Sequence, residues 1–257
     1  MRQSKIFMKK ILFAACALFF AGSVFAQVDT TTKPELVVSA PVKKPKKKYN
    51  LTNRANDHFL VQLGYTNWMD APDSISTKGL SRSINAYFMF DFPFKSSPKL
   101  SAAIGAGVGT DHIFLDGSFA DVKGRTNTMR FYGGDTANVD IKKTKVVTSY
   151  LEAPIELRYT ANPEQSDKSF KVAIGVKVGT MLKGGTRSRI TEPNSIPNYL
   201  LKESSKTYFN TTRIVGTARI GLGHFTLFGT YQFTSLLKAG AGPQLKPYTI
   251  GLSFGGL

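Results

Sequence analysis

Hydrophobic and polar residues alternate along most of the chain after Asp57. In residues 150–160, YLEAPIELRYT, every second residue is apolar, and the residues between them include Glu152, Glu156 and Arg158. Side chains on a β-strand alternate between two faces, so this stretch predicts a strand with one apolar and one charged face. The same period of two, which favours strands over helices, recurs at residues 58–67, 82–92, 100–110, 147–160, 170–182, 208–220, 225–233 and 248–254.

The connections between these eight predicted strands alternate in length. They are short after the second, fourth and sixth strands and longer after the first, third, fifth and seventh. Short turns at one end and long loops at the other are typical of outer-membrane barrels. The sequence therefore predicts an all-β fold, an eight-stranded antiparallel transmembrane up-and-down β-barrel over residues 57–257, with its apolar faces toward lipid. A soluble barrel such as a lipocalin would instead turn its apolar faces inward.

With the apolar faces outward, the charged residues of the same strands point into the lumen. The interior of an eight-stranded barrel is just wide enough to be filled by side chains, and enclosed charges must be paired. We expect Glu152 and Glu156 to pair with Lys171, Lys177 and Arg213, which predicts a plugged ionic core. The predicted lumen charge cluster comprises Asp91, Glu152, Glu156, Arg158, Lys171, Lys177, Arg213 and Arg219.

The first 26 residues have the pattern of a cleaved signal peptide. Four basic residues precede the apolar run Ile11–Phe20, and Val24-Phe25-Ala26 carries the small residues that signal peptidase prefers. A lipoprotein signal ending at Cys16 is the alternative, but the residues after Cys16 are too apolar for a mature lipoprotein. Residues 27–56 lack periodicity and predict a disordered, basic, periplasmic tail. The tail residues predicted to interact with partners are Lys43, Lys44, Lys46, Lys47 and Lys48.

Composition restricts the chemistry. Cys16 is the only cysteine and lies in the predicted signal, so the mature chain offers no disulfide and no thiolate. Metal-ligand spacings, phosphate loops and nucleophile elbows are absent from the sequence, so we predict no cofactor and no metal. The net charge is +17. Because an exported chain meets anionic lipid more often than nucleic acid, we predict a lipid partner and no nucleic-acid partner.

The stretch YLEAPIELRY resembles a strand signature of the PorT-like outer-membrane β-barrel family of Bacteroidetes-type bacteria. The residues that match this signature are Tyr150, Leu151, Glu152, Pro154 and Tyr159, and the glycine-rich segments AAIGAGVG and VAIGVKVG are similar to strands of that family. The resemblance implies an eight-stranded barrel and, from the family's namesake, a role in assembling a protein secretion system of the type IX kind.

The C-terminal segment TIGLSF is similar to the signal that the barrel-assembly machinery recognises. Thr249, Gly251 and Phe254 have the corresponding spacing, although three further residues follow the aromatic. We therefore predict this machinery as a partner during biogenesis and the outer membrane as the location.

Three functions fit these patterns. The preferred one is non-enzymatic: a structural or accessory barrel that serves envelope assembly or secretion through its loops and tail. The second is a lipid-modifying enzyme, in which His112 and Ser149 near the outer rim would form a base and nucleophile. The third is a small-solute channel through the same lumen charges. We predict no catalytic residues.

Overall fold

Antiparallel strands account for nearly all the regular structure of the chain. The computed structural model describes residues 58–73, 75–77, 79, 81–124, 126–133, 140–191 and 199–255. The chain separates into two units, Met1–Lys47 and Lys48–Leu257, and every described residue belongs to the second. No helix in this described part is long and apolar enough to cross a membrane.

Eight long strands form a closed antiparallel ring. Each of them pairs with its neighbours in chain order, and β1 pairs with β11 to close the ring. The strands of the ring are β1 (Phe59–Met69), β2 (Arg82–Phe94), β3 (Ser97–Leu115), β6 (Asp140–Thr160), β7 (Phe170–Thr191), β9 (Thr212–Leu222), β10 (Phe225–Gln232) and β11 (Lys246–Gly255). The predicted eight-stranded barrel is confirmed.

The long-loop end contains strands that the sequence did not predict. A small hairpin of β4 (Ser118–Asp121) and β5 (Arg130–Gly133) lies in the loop after β3. β8 (Tyr199–Ser204) pairs with the C-terminal part of β7. β6 also begins seven residues before its predicted segment, and β7 ends nine residues after its predicted segment. These additional residues do not alternate regularly between apolar and polar side chains, so the sequence pattern did not predict them as strand. A 3-10 helix, Pro163–Lys168, forms the connection between β6 and β7.

The two faces of the ring divide as the alternation predicted. The side chains exposed on the outside include Phe59, Leu63, Phe92, Ile155, Ile174, Leu227 and Leu252, and the buried side chains of the same strands are mostly polar, charged or small. A water-soluble barrel would have the opposite arrangement, because apolar surface is removed from water on folding.

The long loops fold inward and close the end of the barrel. Buried residues of these loops pack with inward-facing residues of the strand ends in one apolar cluster, the loop cap, which comprises Trp68, Ile75, Ile113, Leu115, Ala120, Val122, Met129, Val146, Tyr150, Met181, Tyr208, Phe209, Leu236, Leu237, Ala241 and Leu245. Hydrogen bonds join different loops: the amide of Met129 donates to the carbonyl of Ala241, and the hydroxyl of Tyr208 donates to that of Gly124. The loop cap is thus a small hydrophobic core above the polar lumen.

Candidate functional site

Charged side chains of the lumen form two clusters at different depths. The cluster nearer the long loops, here called the loop-side quartet, consists of Asp111, Glu152, Lys177 and Arg213. Arg213 donates from Nε to Glu152 Oε1 and from Nη1 to Asp111 Oδ2, both at 2.7 Å. Lys177 Nζ lies 3.7 Å from Glu152 Oε2. Two cations and two anions make this quartet neutral as a whole, as enclosed charges require.

Two tyrosines complete the surroundings of this quartet. The hydroxyl of Tyr87 donates to Glu152 Oε2 and accepts a hydrogen bond of 3.0 Å from Lys177. The guanidinium of Arg213 lies 3.9 Å from the ring centroid of Tyr150, within the range of a cation–π contact. Tyr87 therefore bridges Lys177 and Glu152, and the ring of Tyr150 packs against Arg213.

The second cluster lies nearer the short turns. This turn-side quartet consists of Asp91, Glu156, Arg158 and Arg219. Glu156 Oε2 accepts from Arg158 Nε at 3.0 Å and from Arg219 Nη2 at 2.5 Å, and Arg158 Nη1 lies 3.8 Å from Asp91 Oδ1. It is also charge-balanced, with two carboxylates and two guanidinium groups.

Little open volume remains between these side chains. A cavity beside the loop-side quartet measures about 20 Å³, and one beside the turn-side quartet measures about 30 Å³. Each has room for about one water molecule. Within the residues that the structure describes, the lumen is therefore filled by side chains and has the loop cap above it.

The structure brings together most of the predicted lumen residues. Glu152 pairs with Lys177 and Arg213, as predicted. Glu156 differs from the prediction, because it pairs with Arg158 and Arg219. Lys171 is half-buried and lines the turn-side cavity with Asp91. The pairing differs because the antiparallel register places Ala173, not Lys171, opposite Arg158 and Arg219.

Two members of the loop-side network were not predicted. Asp111 has the inward phase of β3 and could have been found from it, but its partner Arg213 is 102 residues away in the sequence. Tyr87 was not predicted because aromatic residues are common on both faces of a strand, so its position gave no sign of a contact with the quartet.

Gly109 has no side chain, and this absence leaves room for the loop-side quartet. A Cβ atom on Gly109 would lie 2.7 Å from Arg213 Nη2, 2.7 Å from Asn85 Oδ1 and 2.8 Å from Glu152 Oε2. These are closer than ordinary contacts of carbon with nitrogen or oxygen, and all three side chains are held by hydrogen bonds to other side chains. Gly109 thus explains part of the glycine-rich phase of β3.

We predict that Gly109→Ala lowers the free energy of unfolding by about 1–3 kcal/mol, because the added methyl group overpacks the quartet. Urea unfolding of the refolded barrel in lipid vesicles measures this change. Gly229→Ala is the matched control, since nothing lies within 4 Å of its added Cβ. An equal loss in both variants would show that backbone effects, and not crowding of the quartet, cause the change.

His112 and Ser149 lie on adjacent strands at the outward side of the barrel. The register places His112 opposite Val147 and Ser149 opposite Thr110. Ser149 Oγ accepts a hydrogen bond from Thr110, and His112 Nδ1 lies 3.4 Å from Lys145 Nζ. Both residues line one shallow groove, in which Ser149 is hydrogen-bonded to Thr110 and His112 lies beside Lys145.

Two further sequence predictions concern the basic tail and metal binding. The tail lysines 43, 44 and 46–48 lie outside the described residues. In the described part, no cluster of three or more His, Cys, Asp or Glu side chains could hold a metal ion.

Comparison with known proteins gives one family. The family model for the outer membrane protein beta-barrel domain matches residues 25–238, which include every strand of the ring except β11. No curated protein matches the chain. The match covers most of the chain and agrees with the closed ring and its outward apolar face. The chain therefore belongs to the outer membrane protein beta-barrel domain family and is an integral outer-membrane protein.

Proposed function

We propose that the protein is a closed, non-enzymatic barrel of the PorT-like kind, which serves envelope assembly or type IX-like secretion through its two ends. The observation that carries this proposal is the filled lumen. Two charge-balanced quartets, cavities of about one water molecule and the loop cap leave no described path for a solute. A barrel that neither conducts nor encloses a ligand acts through the surfaces that it presents to other molecules.

The loop cap supports a role as a presenting surface. Loops that only join strands do not need a hydrophobic core, yet these loops bury aromatic and aliphatic side chains and share backbone hydrogen bonds. Such packing holds the loop end in one conformation, which favours specific contact with a partner because little entropy is lost on binding.

The basic tail supports a second contact on the opposite side of the membrane. In the orientation usual for outer-membrane barrels, the short turns and both termini lie in the periplasm. Lys43, Lys44 and Lys46–Lys48 would then extend from the periplasmic end toward an acidic protein or anionic lipid. The PorT-like resemblance of YLEAPIELRY supports the secretion role in particular.

Crosslinking of intact envelopes, followed by affinity capture of the barrel, tests the accessory role. We expect a reproducible envelope protein to be captured with the wild-type chain. We expect it to be reduced when the five tail lysines are replaced by glutamine, because the tail charges are then lost. The control replaces Lys95, Lys99 and Lys168, which lie at the short turns, by glutamine. Capture of no partner would contradict the proposal, and so would steady ohmic conductance of the purified barrel in planar bilayers.

A further inference from the structure

The outward face of the barrel changes character on the long-loop side of its apolar band. Val108, Leu151 and Val178 are exposed apolar residues on neighbouring strands. Beyond them, β3, β6 and β7 continue and β8 is added, and the outward positions become basic. This outward basic patch comprises Arg82, Lys143, Lys145, Lys183, Arg187, Arg189 and Lys202.

The register places like charges directly opposite each other in this patch. Lys145 pairs with Arg187, and Lys143 with Arg189, across β6 and β7. Arg187 also pairs with Lys202 across β7 and β8. Like charges opposite each other destabilise a sheet. The arrangement occurs three times in this sheet, and an anion bound between the facing cations would reduce their repulsion.

The described part of the chain supplies few counter-charges to this patch. None of its basic side chains is within ion-pairing distance of a described carboxylate. Glu203 lines the groove beside Lys202, but its side chain lies on the opposite face of β8. Its pKa is raised by burial and by Asp121, against a lowering effect of Lys123, so its electrostatic neighbours lie in the hairpin of the loop end.

Two adjacent grooves give the patch a shape. A groove of about 260 Å³ is lined by Phe114, Lys143, Lys145, Arg187, Arg189 and Leu200. Next to it, a groove of about 190 Å³ shares Arg187 and includes Lys183, Lys202 and Ser149. Phe114 and Leu200 lie among the cations of the first groove, which therefore combines positive charge with apolar surface.

Phe114 occupies the position of an interfacial aromatic. The guanidinium of Arg82 lies 5.9 Å from its ring centroid and Lys145 Nζ lies 5.4 Å from it, on adjacent strands. Aromatic rings mark the depth of the lipid head groups in membrane barrels. The basic side chains around Phe114 are therefore at the level where head-group phosphates are found.

We propose that the outward basic patch binds the phosphate groups of an anionic glycolipid of the outer leaflet. Phosphates would lie between the facing cations of β6, β7 and β8, and the acyl chains would continue along the apolar band below them. Lys and Arg are the side chains that bind phosphate oxygens in proteins. The proposal uses the same membrane orientation as the proposed function but not the accessory role, so the lipid can bind whether or not a protein partner exists.

Native mass spectrometry of the mature, full-length barrel in detergent tests this proposal. The probes are bisphosphorylated lipid A, its dephosphorylated form and a zwitterionic phospholipid. The test variant combines Lys145→Gln, Arg187→Gln and Lys202→Gln, and the control variant combines Lys95→Gln, Lys99→Gln and Lys168→Gln at the opposite rim. We expect wild type and control to prefer the bisphosphorylated lipid, and the test variant to bind it roughly a hundredfold more weakly.

A thermal measurement separates loss of binding from loss of folding. The test variant removes like-charge repulsion, so its unfolding temperature without lipid should equal or exceed that of wild type. Lipid A should raise the unfolding temperature of wild type but not that of the test variant. Equal binding of phosphorylated and dephosphorylated lipid would overturn the proposal. So would stabilisation by inorganic phosphate alone, or by an acidic polypeptide without any lipid effect. None of these outcomes affects the test of the proposed function, in which a partner protein is captured through the basic tail.

Discussion

Glu152→Gln is expected to lower the free energy of unfolding by about 3 kcal/mol or more. Glu152 is almost fully buried and accepts from Arg213 and from Tyr87, with Lys177 close by. Glutamine keeps the shape but removes the charge, which leaves the loop-side quartet with a net positive charge in an enclosed site. Reversible urea unfolding in lipid vesicles, followed by tryptophan fluorescence of Trp68, measures the difference.

Charge balance also predicts what restores stability. In Glu152→Gln combined with Lys177→Met, the quartet is neutral again, because Arg213 retains Asp111 as its partner at 2.7 Å. We expect the double variant to be more stable than Glu152→Gln alone. Asp167→Asn is the control, since the same chemical change at an exposed position should alter stability little. A single variant as stable as wild type would mean that the lumen is hydrated and that its ion pairs do not stabilise the barrel.

Ile174→Arg is expected to lower the free energy of unfolding by about 2–4 kcal/mol in a bilayer. The side chain of Ile174 is 64% exposed and lies within the apolar part of the outward face of β7, between Phe170 and Val178. In water an arginine at such a position is tolerated, whereas in hydrocarbon its charge is desolvated. The size of the loss therefore measures the environment that the outward face contacts.

Leu182→Arg on the same strand is the depth control. Leu182 is also exposed, but it lies beside the outward basic patch at the long-loop side. We expect a loss of about 0–1 kcal/mol there, because arginine near the interface reaches the head groups. Equal and small losses at both depths would contradict the membrane-facing orientation of β7.

The barrel could be predicted because its signal is local. Each strand has its own period of two, and the direction of the apolar face follows from the charges on the other phase. In Leu151–Tyr159, for example, five apolar side chains and the intervening Glu152, Glu156 and Arg158 are enough to assign both faces. Loop lengths then gave the connectivity.

The partners of Glu152 were predicted, but the partners of Glu156 and the loop cap could not be predicted in the same way. Which cation meets Glu156 depends on the register of three strands, and a shift of two residues would bring Lys171 to the position of Ala173. Residues of the loop cap such as Ile75, Tyr208 and Leu245 are separated in the sequence and have no common period. Their burial follows from the closure of the ring, which brings the four long loops to one end.

The pairing of β1 with β11 has a consequence for synthesis and export. A ring that closes between its first and last strands cannot close before the final ten residues of that sheet have left the ribosome. Until then the incomplete sheet has two unpaired edges and an apolar outer surface, and both features favour aggregation. We therefore expect the nascent polypeptide to need protection from aggregation during its transit, and closure of this seam to end that need.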